Sequence, residues 1–178
     1  MDLQDLKYPI GAYHRDAEPT NEVLNQWITD LEELPNRLRD TLNTISNKEL
    51  NYIYRPNGWT IQQVVHHLAD SHMNSFIRFK LALTEDTPTI RPYLEDRWAR
   101  LTDVVDVDIS YSLNILTGVH MRLTTLLRSL SDSELNRDFI HPEQSRKLTL
   151  RETIGLYAWH SNHHHAHVLQ AIKFKGNF

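Results

Sequence analysis

The chain has 178 residues, no cysteine, and 23 acidic against 19 basic side chains, which gives a formal net charge of −4. This length predicts a single domain, residues 1–178, and the acidic balance argues against a nucleic-acid partner. Without cysteine, a disulfide, a thiolate metal ligand and a cysteine nucleophile are all excluded. The N-terminus does not resemble a signal peptide and no apolar run is long enough to span a membrane, so we predict a cytoplasmic protein without a membrane partner.

The first quarter of the chain is predicted to hold an irregular arm followed by a long helix. Residues 1–19 contain prolines and many polar residues, which favours an irregular arm. From about Asn21 to Ile45, apolar residues recur every three or four positions, the spacing of one helical face. Pro35 interrupts this pattern and is a position where the helix can kink, because proline has no amide hydrogen to donate.

Three capping boxes predict where later helices begin. In each box a Ser or Thr is followed three residues later by Glu or Gln, so that side chain and backbone cap each other. The first opens a helix that runs to about Leu83, the second opens a short helix, and the third opens the last long helix, which ends near Gly176. The boxes lie at Thr60–Gln63, Ser131–Glu134 and Thr149–Glu152.

A long connection and a further helix lie between these boxes. Residues 84–109 contain two prolines and many acidic residues, and we predict a crossover with one helical turn near Trp98. Within it, Val104–Ile109 comes nearest to the alternation of a strand, but it is short and isolated. Residues 112–130 are again helix-periodic. Four long helices and one long connection predict an all-α fold, a four-helix bundle with a long crossover connection.

Five of the eleven histidines fall between His160 and His167, inside the last predicted helix. Neutral imidazole is a common protein ligand for zinc, copper and nickel. Residues four apart on a helix lie about 40° apart around its axis, so His160 and His164 can bind one ion together. A third ligand must then come from another element. The pattern predicts a three-histidine centre with open coordination positions between two packed helices.

The helix that begins at Thr60 offers the third ligand. His67 lies on a polar stripe with Asn74 and Arg78, flanked by apolar residues, which favours a stripe that lines an internal cavity. His66 points about 100° away from His67, and His72 falls on the apolar side, where either can be a hydrogen-bonded core histidine. Periodicity alone does not choose between His66 and His67.

Several segments of this chain together resemble a known family, the YfiT-like metal-dependent hydrolases of the DinB-like superfamily. The resemblance covers most of the chain and implies a DinB-like four-helix bundle, usually a homodimer. The matching segments are residues 58–75, 78–80, 90–93 and 156–167, with shorter fits at residues 8–11 and 54–56.

The same resemblance implies a metal and its ligands. The family holds one divalent ion per chain, zinc or nickel, on three histidines. By motif position these ligands are His67, His160 and His164, which favours His67 over His66. The chain departs from the motif at Asn162, where relatives can carry another histidine, and this departure leaves the three ligands intact.

The resemblance and the histidines together predict a metal-dependent hydrolase that acts on a small molecule. An ion held by three neutral imidazoles lowers the pKa of a bound water toward about 7. Asp70, one turn from His67, is a candidate general base, and its alternative role is to orient a ligand histidine. Asn74, Arg78 and Arg91 are candidates to bind an anionic substrate group, with surface ion pairs as the alternative for the arginines.

Two other functions fit the same residues. A metal that binds water also binds and deprotonates a thiol, so the first alternative is an S-transferase that activates a low-molecular-weight thiol such as bacillithiol. The second is a non-enzymatic metal-binding module, which predicts a closed site with His163 or His167 in the fourth position. A metal-free histidine cluster on a solvated helix face is the remaining interpretation.

Overall fold

The computed structural model describes residues 2–144 and 146–178, and most of these residues are helical. The elements are α1 (Leu3–Lys7), α2 (Asn21–Leu42), α3 (Ile61–Thr84), α4 (Glu95–Trp98), α5 (Thr102–Val105), α6 (Ile109–Ser129), α7 (Asp132–Leu135), β1 (Asp138–His141), β2 (Arg146–Thr149) and α8 (Leu150–Phe174). Short 3₁₀ turns lie at Asn47–Asn51 and Pro142–Gln144. Within the two described ranges, no helix has both the length and the apolar character needed to cross a membrane.

The four long helices α2, α3, α6 and α8 form the predicted four-helix bundle. Helix α2 packs against α6 and α8, and α3 packs against the same two helices. Therefore α2 and α3, although consecutive long helices in the chain, occupy opposite corners of the bundle. The long connection between α3 and α6 carries α4 and α5 as the crossover. This arrangement makes α3 and α8 neighbours and brings the two histidine-bearing helices together.

The apolar core consists of two clusters, one toward each end of the bundle. The first includes Leu31, Phe79 and Ile154, and the second includes Leu68 and Val168. Burying a side chain of this size stabilises the fold by about 1.5–3 kcal/mol, so each cluster holds all four long helices together.

Three histidines lie where the two clusters meet, and two of them, His72 and His120, are fully buried while His160 is half-buried. In sequence, His72 on α3, His120 on α6 and His160 on α8 each fall between residues of the first cluster and residues of the second. We call these three residues the histidine layer. Because a buried polar group is costly unless it is hydrogen-bonded, the layer must satisfy its own nitrogen atoms.

The three predicted capping boxes are all present. At each helix start the Ser or Thr side chain accepts from the third amide, and the Glu or Gln side chain accepts from the cap amide. The long helices begin close to their predicted starts, and α2 ends at Leu42, earlier than the predicted Ile45. Pro35 lies inside α2 and does not end it.

Two local features were not predicted. The N-terminal arm contains a helix, α1, whose Leu6 is buried. Residues 104–109, which come nearest to strand alternation in the sequence, contain the end of α5, a short link and the start of α6. Conversely, β1 and β2 form an antiparallel hairpin in which Phe139 pairs with Leu148. Strands of four residues are too short to give a periodic signal, so only their pairing and the burial of these two side chains define them.

Candidate metal centre

His67 on α3 meets His160 and His164 on α8 at the interface between the two helices. One ring nitrogen from each of the three lies within 4.8 Å of the others. The Nε2 atoms of His67 and His160 are 3.3 Å apart. Two nitrogen ligands at tetrahedral positions about 2.05 Å from a zinc ion are about 3.3 Å apart, so this pair has the spacing of a coordinated pair. The three residues therefore fit a divalent ion.

Helix geometry and one indole ring hold the three imidazoles in place. The rings of His160 and His164, one turn apart on α8, have centroids 4.5 Å apart. The ring of Trp59, which directly precedes the Thr60 cap of α3, lies 4.8 Å from the His67 ring and stacks on His164 at 6.5 Å. Because Trp59 directly precedes the N-cap of α3, the start of this helix also positions the Trp59 indole over one side of the three histidines.

His66 takes no part in this group. Its Nδ1 is 2.7 Å from the Ser112 hydroxyl and its Nε2 is 3.2 Å from the Val107 carbonyl. Both ring nitrogens therefore have partners on the crossover and α6, and the ring faces away from His160. Tertiary packing thus separates the two adjacent histidines, which periodicity left open and which the family motif alone had resolved in favour of His67.

Burial keeps the three imidazoles neutral. Loss of hydration lowers the pKa of His67 to about 4. Burial, followed by repulsion from the neighbouring histidines, holds the pKa of His160 and His164 well below the usual value. A neutral ring is the state that binds a metal, so the group needs no deprotonation at neutral pH.

His163 and His167 lie beside the group but do not join it. Within the described residues, the only set of histidine and acidic side chains able to share an ion is the set of three. The Nδ1 of His167 lies 3.4 Å from the Nδ1 of His164. His163 stacks on Trp159 with ring centroids 4.4 Å apart. Neither contact is that of a fourth ligand in a closed site.

Two neighbouring cavities are lined by residues of the three-histidine group. A cavity of about 530 Å³ is lined by His160 and by Ser71, Arg78, Tyr93, His141 and Tyr157, among others. A second cavity, of about 620 Å³, is lined by all three histidines together with Tyr54, Arg55, Trp59 and Trp159. His160 lines both cavities, and so do Glu95 and Asp96 of α4. The group therefore borders two cavities that are large enough for small molecules.

The predicted substrate-binding residues lie in two different places. Arg78 lines the first cavity, where its guanidinium donates to the Tyr157 hydroxyl at 3.3 Å. Asn74 and Arg91 instead line a neighbouring depression of about 470 Å³, and none of the three histidines belongs to its lining. The Asn74 amide donates to the Asp70 carbonyl one turn earlier in α3.

Two carboxylates of the crossover lie closer to the histidines' cavities than the predicted base does. Asp70 is half-buried, and burial followed by repulsion from Asp103 raises its pKa to about 6, but it belongs to the lining of neither cavity. Glu95 and Asp96 line both, and burial followed by the nearby acidic groups raises the pKa of Glu95. The sequence gave no signal for this placement, because it depends on how the crossover folds back over α3.

The fold and the three-histidine group define a four-helix-bundle protein with a group of histidines between two of its helices that could hold a metal ion. Residues 30–168 match the model of the DinB superfamily. The chain belongs to this superfamily, as its motifs predicted.

Closely similar proteins carry names that refer to metal-dependent hydrolysis. Bacillus subtilis YfiT, named a "putative metal-dependent hydrolase", is 47% identical over 176 residues, which cover 99% of each chain. A protein of Oceanobacillus iheyensis with the same designation is 47% identical and covers 95% of this chain and 97% of its own.

Solved structures match the fold. The structure of Bacillus subtilis YfiT, described as having an unusual four-helix bundle topology, matches with a TM-score of 0.93 over 97% of this chain and 98% of that one. The crystal structure of a mycothiol-dependent maleylpyruvate isomerase matches with a TM-score of 0.59 at 18% identity, over 79% of this chain and 60% of that one. This second likeness concerns the fold alone.

Proposed function

We propose that this protein is a metal-dependent hydrolase in which His67, His160 and His164 hold one zinc or nickel ion per chain. The observation that carries the proposal is the convergence of three neutral imidazoles within 4.8 Å, of which His67 and His164 are buried and His160 is half-buried, with access from two cavities. The designation of relatives that are 47% identical supports the same activity.

The donor set suits this chemistry. Nitrogen ligands match zinc and nickel better than calcium or magnesium, which prefer oxygen. When bound, the ion supplies Lewis acidity, which lowers the pKa of a water molecule and polarises a substrate carbonyl. Because all three ligands are neutral, the chain does not reduce the charge of the ion. The other residues of the site bind the substrate and move protons.

An anionic group on the substrate is proposed to bind Arg78. Among the described residues, no carboxylate lies within 4.0 Å of this guanidinium, so its charge is unpaired. It lines the first cavity together with His160. Asn74 and Arg91 line the adjoining depression, and we propose that they contact the distal part of a longer substrate.

Proton transfer is proposed to involve a carboxylate of raised pKa. Asp70, with a pKa of about 6, suits a base that works near neutral pH. Glu95 has a raised pKa as well and lines both cavities beside His160. A base must come within hydrogen-bond distance of the proton it takes, so access favours Glu95 and the pKa value favours Asp70.

The presence of two cavities favours one second candidate, a metal-dependent S-transferase. A transfer between a thiol and an electrophile needs two binding sites that meet at the reactive centre, and the cavities of about 530 and 620 Å³ meet at His160. The second cavity also contains Lys7, Arg55 and Arg100, whose charges suit an anionic low-molecular-weight thiol such as bacillithiol. Here the chain would hold the thiol in one cavity and its acceptor in the other.

The first experiment measures bound metal, element by element, in tag-free protein purified without a metal column. We expect about one zinc or nickel ion per chain, and none in a His160→Ala/His164→Ala variant, because two of the three ligands are lost. His165→Ala, on the same helix but outside the group, is the matched control. A metal-free wild type with normal folding would contradict the proposal.

Turnover then separates the two candidate activities. A hydrolase cleaves esters or amides without added thiol, whereas a transferase forms a conjugate only when a small thiol is supplied. The homodimer and the cytoplasmic location predicted from the sequence stay predictions, and light scattering at several protein concentrations tests the first.

A further inference from the structure

Each of the two α8 ligands has a second histidine behind it. The Nδ1 of His160 lies 3.2 Å from the Nε2 of His72, and the Nδ1 of His164 lies 3.4 Å from the Nδ1 of His167. His72 is 0% exposed and His167 is 2% exposed. Both contacts involve the ligand's Nδ1 and leave the Nε2 of each ligand ring for the ion, and the Nε2 of His160 is the atom that lies 3.3 Å from the Nε2 of His67.

The hydrogen bond that His167 makes on its other side determines which nitrogen atoms of His167 and His164 carry hydrogens. Its Nε2 lies 3.1 Å from the Lys7 carbonyl, which only accepts hydrogen bonds, so this Nε2 carries the hydrogen. A neutral imidazole has one N–H, and therefore the Nδ1 of His167 is a bare acceptor. It can accept only if the Nδ1 of His164 carries a hydrogen, which leaves the lone pair on the Nε2 of His164.

For His160 the same direction follows from the proposed metal site: a neutral His160 that binds the ion through Nε2 carries its hydrogen on Nδ1, which lies 3.2 Å from the Nε2 of His72. The Nδ1 of His120 donates to the Leu31 carbonyl, so the Nε2 of His120 is a bare acceptor. Within the described residues, this Nε2 and the Nδ1 of His72 are buried without a hydrogen-bond partner, and the two rings stack with centroids 4.7 Å apart. Because the two rings stack, these atoms do not hydrogen-bond to each other, and the contact with His120 leaves the tautomer of His72 to be set by His160.

Because His160 donates, His72 carries its own hydrogen on Nδ1 and presents the lone pair of Nε2 to His160. We propose that His72 and His167 are positioning residues: each accepts a hydrogen bond from the Nδ1 of a ligand histidine, fixes that ring as the Nδ1–H tautomer, and so directs its Nε2 toward the metal. The inference rests on the metal site proposed above. His120 supports His72 from behind, and Lys7 of the N-terminal helix α1 supports His167.

This arrangement has a chemical consequence. A ligand histidine commonly donates to a carboxylate, which makes the ring a stronger electron donor to the ion. A neutral imidazole behind the ligand orients the ring without adding negative charge. The two positioning histidines therefore keep the site geometrically fixed while the ion retains its full positive charge.

The experiment compares variants that keep or remove the accepting atom. Gln places an oxygen near the position of Nε2, so His72→Gln retains the acceptor, and His72→Leu removes it. Asn places an oxygen near the position of Nδ1, so His167→Asn retains the acceptor, and His167→Leu removes it. His66→Leu on α3 and His165→Leu on α8 are matched controls that remove a histidine that is not behind a ligand.

Zinc affinity, measured by competition with a chromophoric chelator, is the first measurement. We expect each of the two acceptor-removing variants to bind zinc about 10–100-fold more weakly than the wild type, the usual cost of losing such a partner. The Gln, Asn and control variants should stay within about threefold. Equal affinity in all folded variants would overturn the inference, whereas a wild type that binds no zinc would overturn the proposed function.

The tautomers of the metal-free wild type are the second measurement, and they need neither a variant nor activity. Long-range ¹H–¹⁵N NMR spectra distinguish Nδ1–H from Nε2–H imidazole. We expect Nδ1–H for His160 and His164, and Nε2–H for His167. An Nε2–H tautomer at either ligand would overturn the inference, even if the leucine variants failed to fold.

Discussion

At the scale of single residues, environment rather than residue type separates the roles of the histidines. Burial lowers the pKa of His67, His120 and His163 to about 4, and burial followed by repulsion from His163 lowers that of His167 to about 3. Protonating any of them would place a positive charge beside other imidazoles. The cluster is therefore neutral at physiological pH, as metal ligands and hydrogen-bond acceptors must be.

Asp70 allows a residue-scale test of burial. Because burial, and then Asp103, raises its pKa to about 6, the folded state binds this proton more tightly than the unfolded state, whose pKa is about 3.9. The resulting stabilisation is complete below pH about 4 and is lost as the pH rises through about 6. We expect Asp70→Asn, which cannot ionise, to raise the free energy of unfolding by about 1 kcal/mol at pH 8, after allowance for solvent screening.

Urea unfolding of Asp70→Asn and the wild type at pH 8 and pH 4.5 checks this expectation. The gain should shrink markedly at pH 4.5, where the folded wild type already carries the proton. An equal gain at both pH values would show that desolvation of the carboxylate is not its cause. If Asp70 is also the base, the same variant should lose turnover, whereas Glu95→Gln should lose it if Glu95 is the base.

At the scale of elements, the contact between α2 and α8 depends on the absence of one side chain. Gly155 is buried on α8, and a Cβ atom placed there would lie 2.8 Å from two carbons of the Trp27 ring on α2. That distance is shorter than van der Waals contact, so the indole would have to move. Because residue 155 is glycine, the N-terminal half of α8, which leads to His160, can pack close to α2.

We expect Gly155→Ala to lower the free energy of unfolding by about 1 kcal/mol, because overpacking outweighs the gain in helix propensity. Gly118→Ala on α6 is the matched control, since a Cβ there meets nothing within 4 Å. That variant should raise stability by about 0.5–1 kcal/mol through propensity alone. Chemical denaturation of both variants provides the measurement, and a stabilised Gly155→Ala would show that Trp27 moves aside at little cost.

At the scale of the whole molecule, the packing order of the helices determines the site. Because α2 and α3 occupy opposite corners, α3 is a neighbour of α8, and the three histidines can meet. They meet close to the histidine layer, which lies between the two apolar clusters. A bound ion would therefore link α3 and α8 beside this layer.

Metal should accordingly stabilise the fold. Zinc at about 100 times its dissociation constant adds about 2.7 kcal/mol, which corresponds to a rise in Tm of about 5–10 °C for a chain of this size. We expect this shift when zinc is added to chelator-treated wild type, measured by calorimetry. The His160→Ala/His164→Ala variant should show no shift, and an equal shift in that variant would indicate binding elsewhere.

Much of the fold could be predicted from the sequence because its signals are local. Helical periodicity and reciprocal capping depend on residues three or four apart, and they located α2, α3, α6 and α8 with small errors at the ends. The i, i+4 spacing of His160 and His164 likewise depends only on helix geometry. The hairpin β1–β2 and helix α1 were missed because their few residues are stabilised by contacts with distant parts of the chain.

The sequence by itself determined the helices, the pair of histidines on α8 and, through its motifs, the superfamily. Periodicity left His66 and His67 open and only the family motif favoured His67, whereas the tertiary structure brought His67 to His160, brought Glu95 and Asp96 to both cavities, and placed His72 and His167 behind His160 and His164. These relations join residues far apart in sequence, such as His72 and His160, and no periodic pattern encodes them. They follow from which helices pack together, which is decided by the summed burial of apolar side chains over the whole bundle.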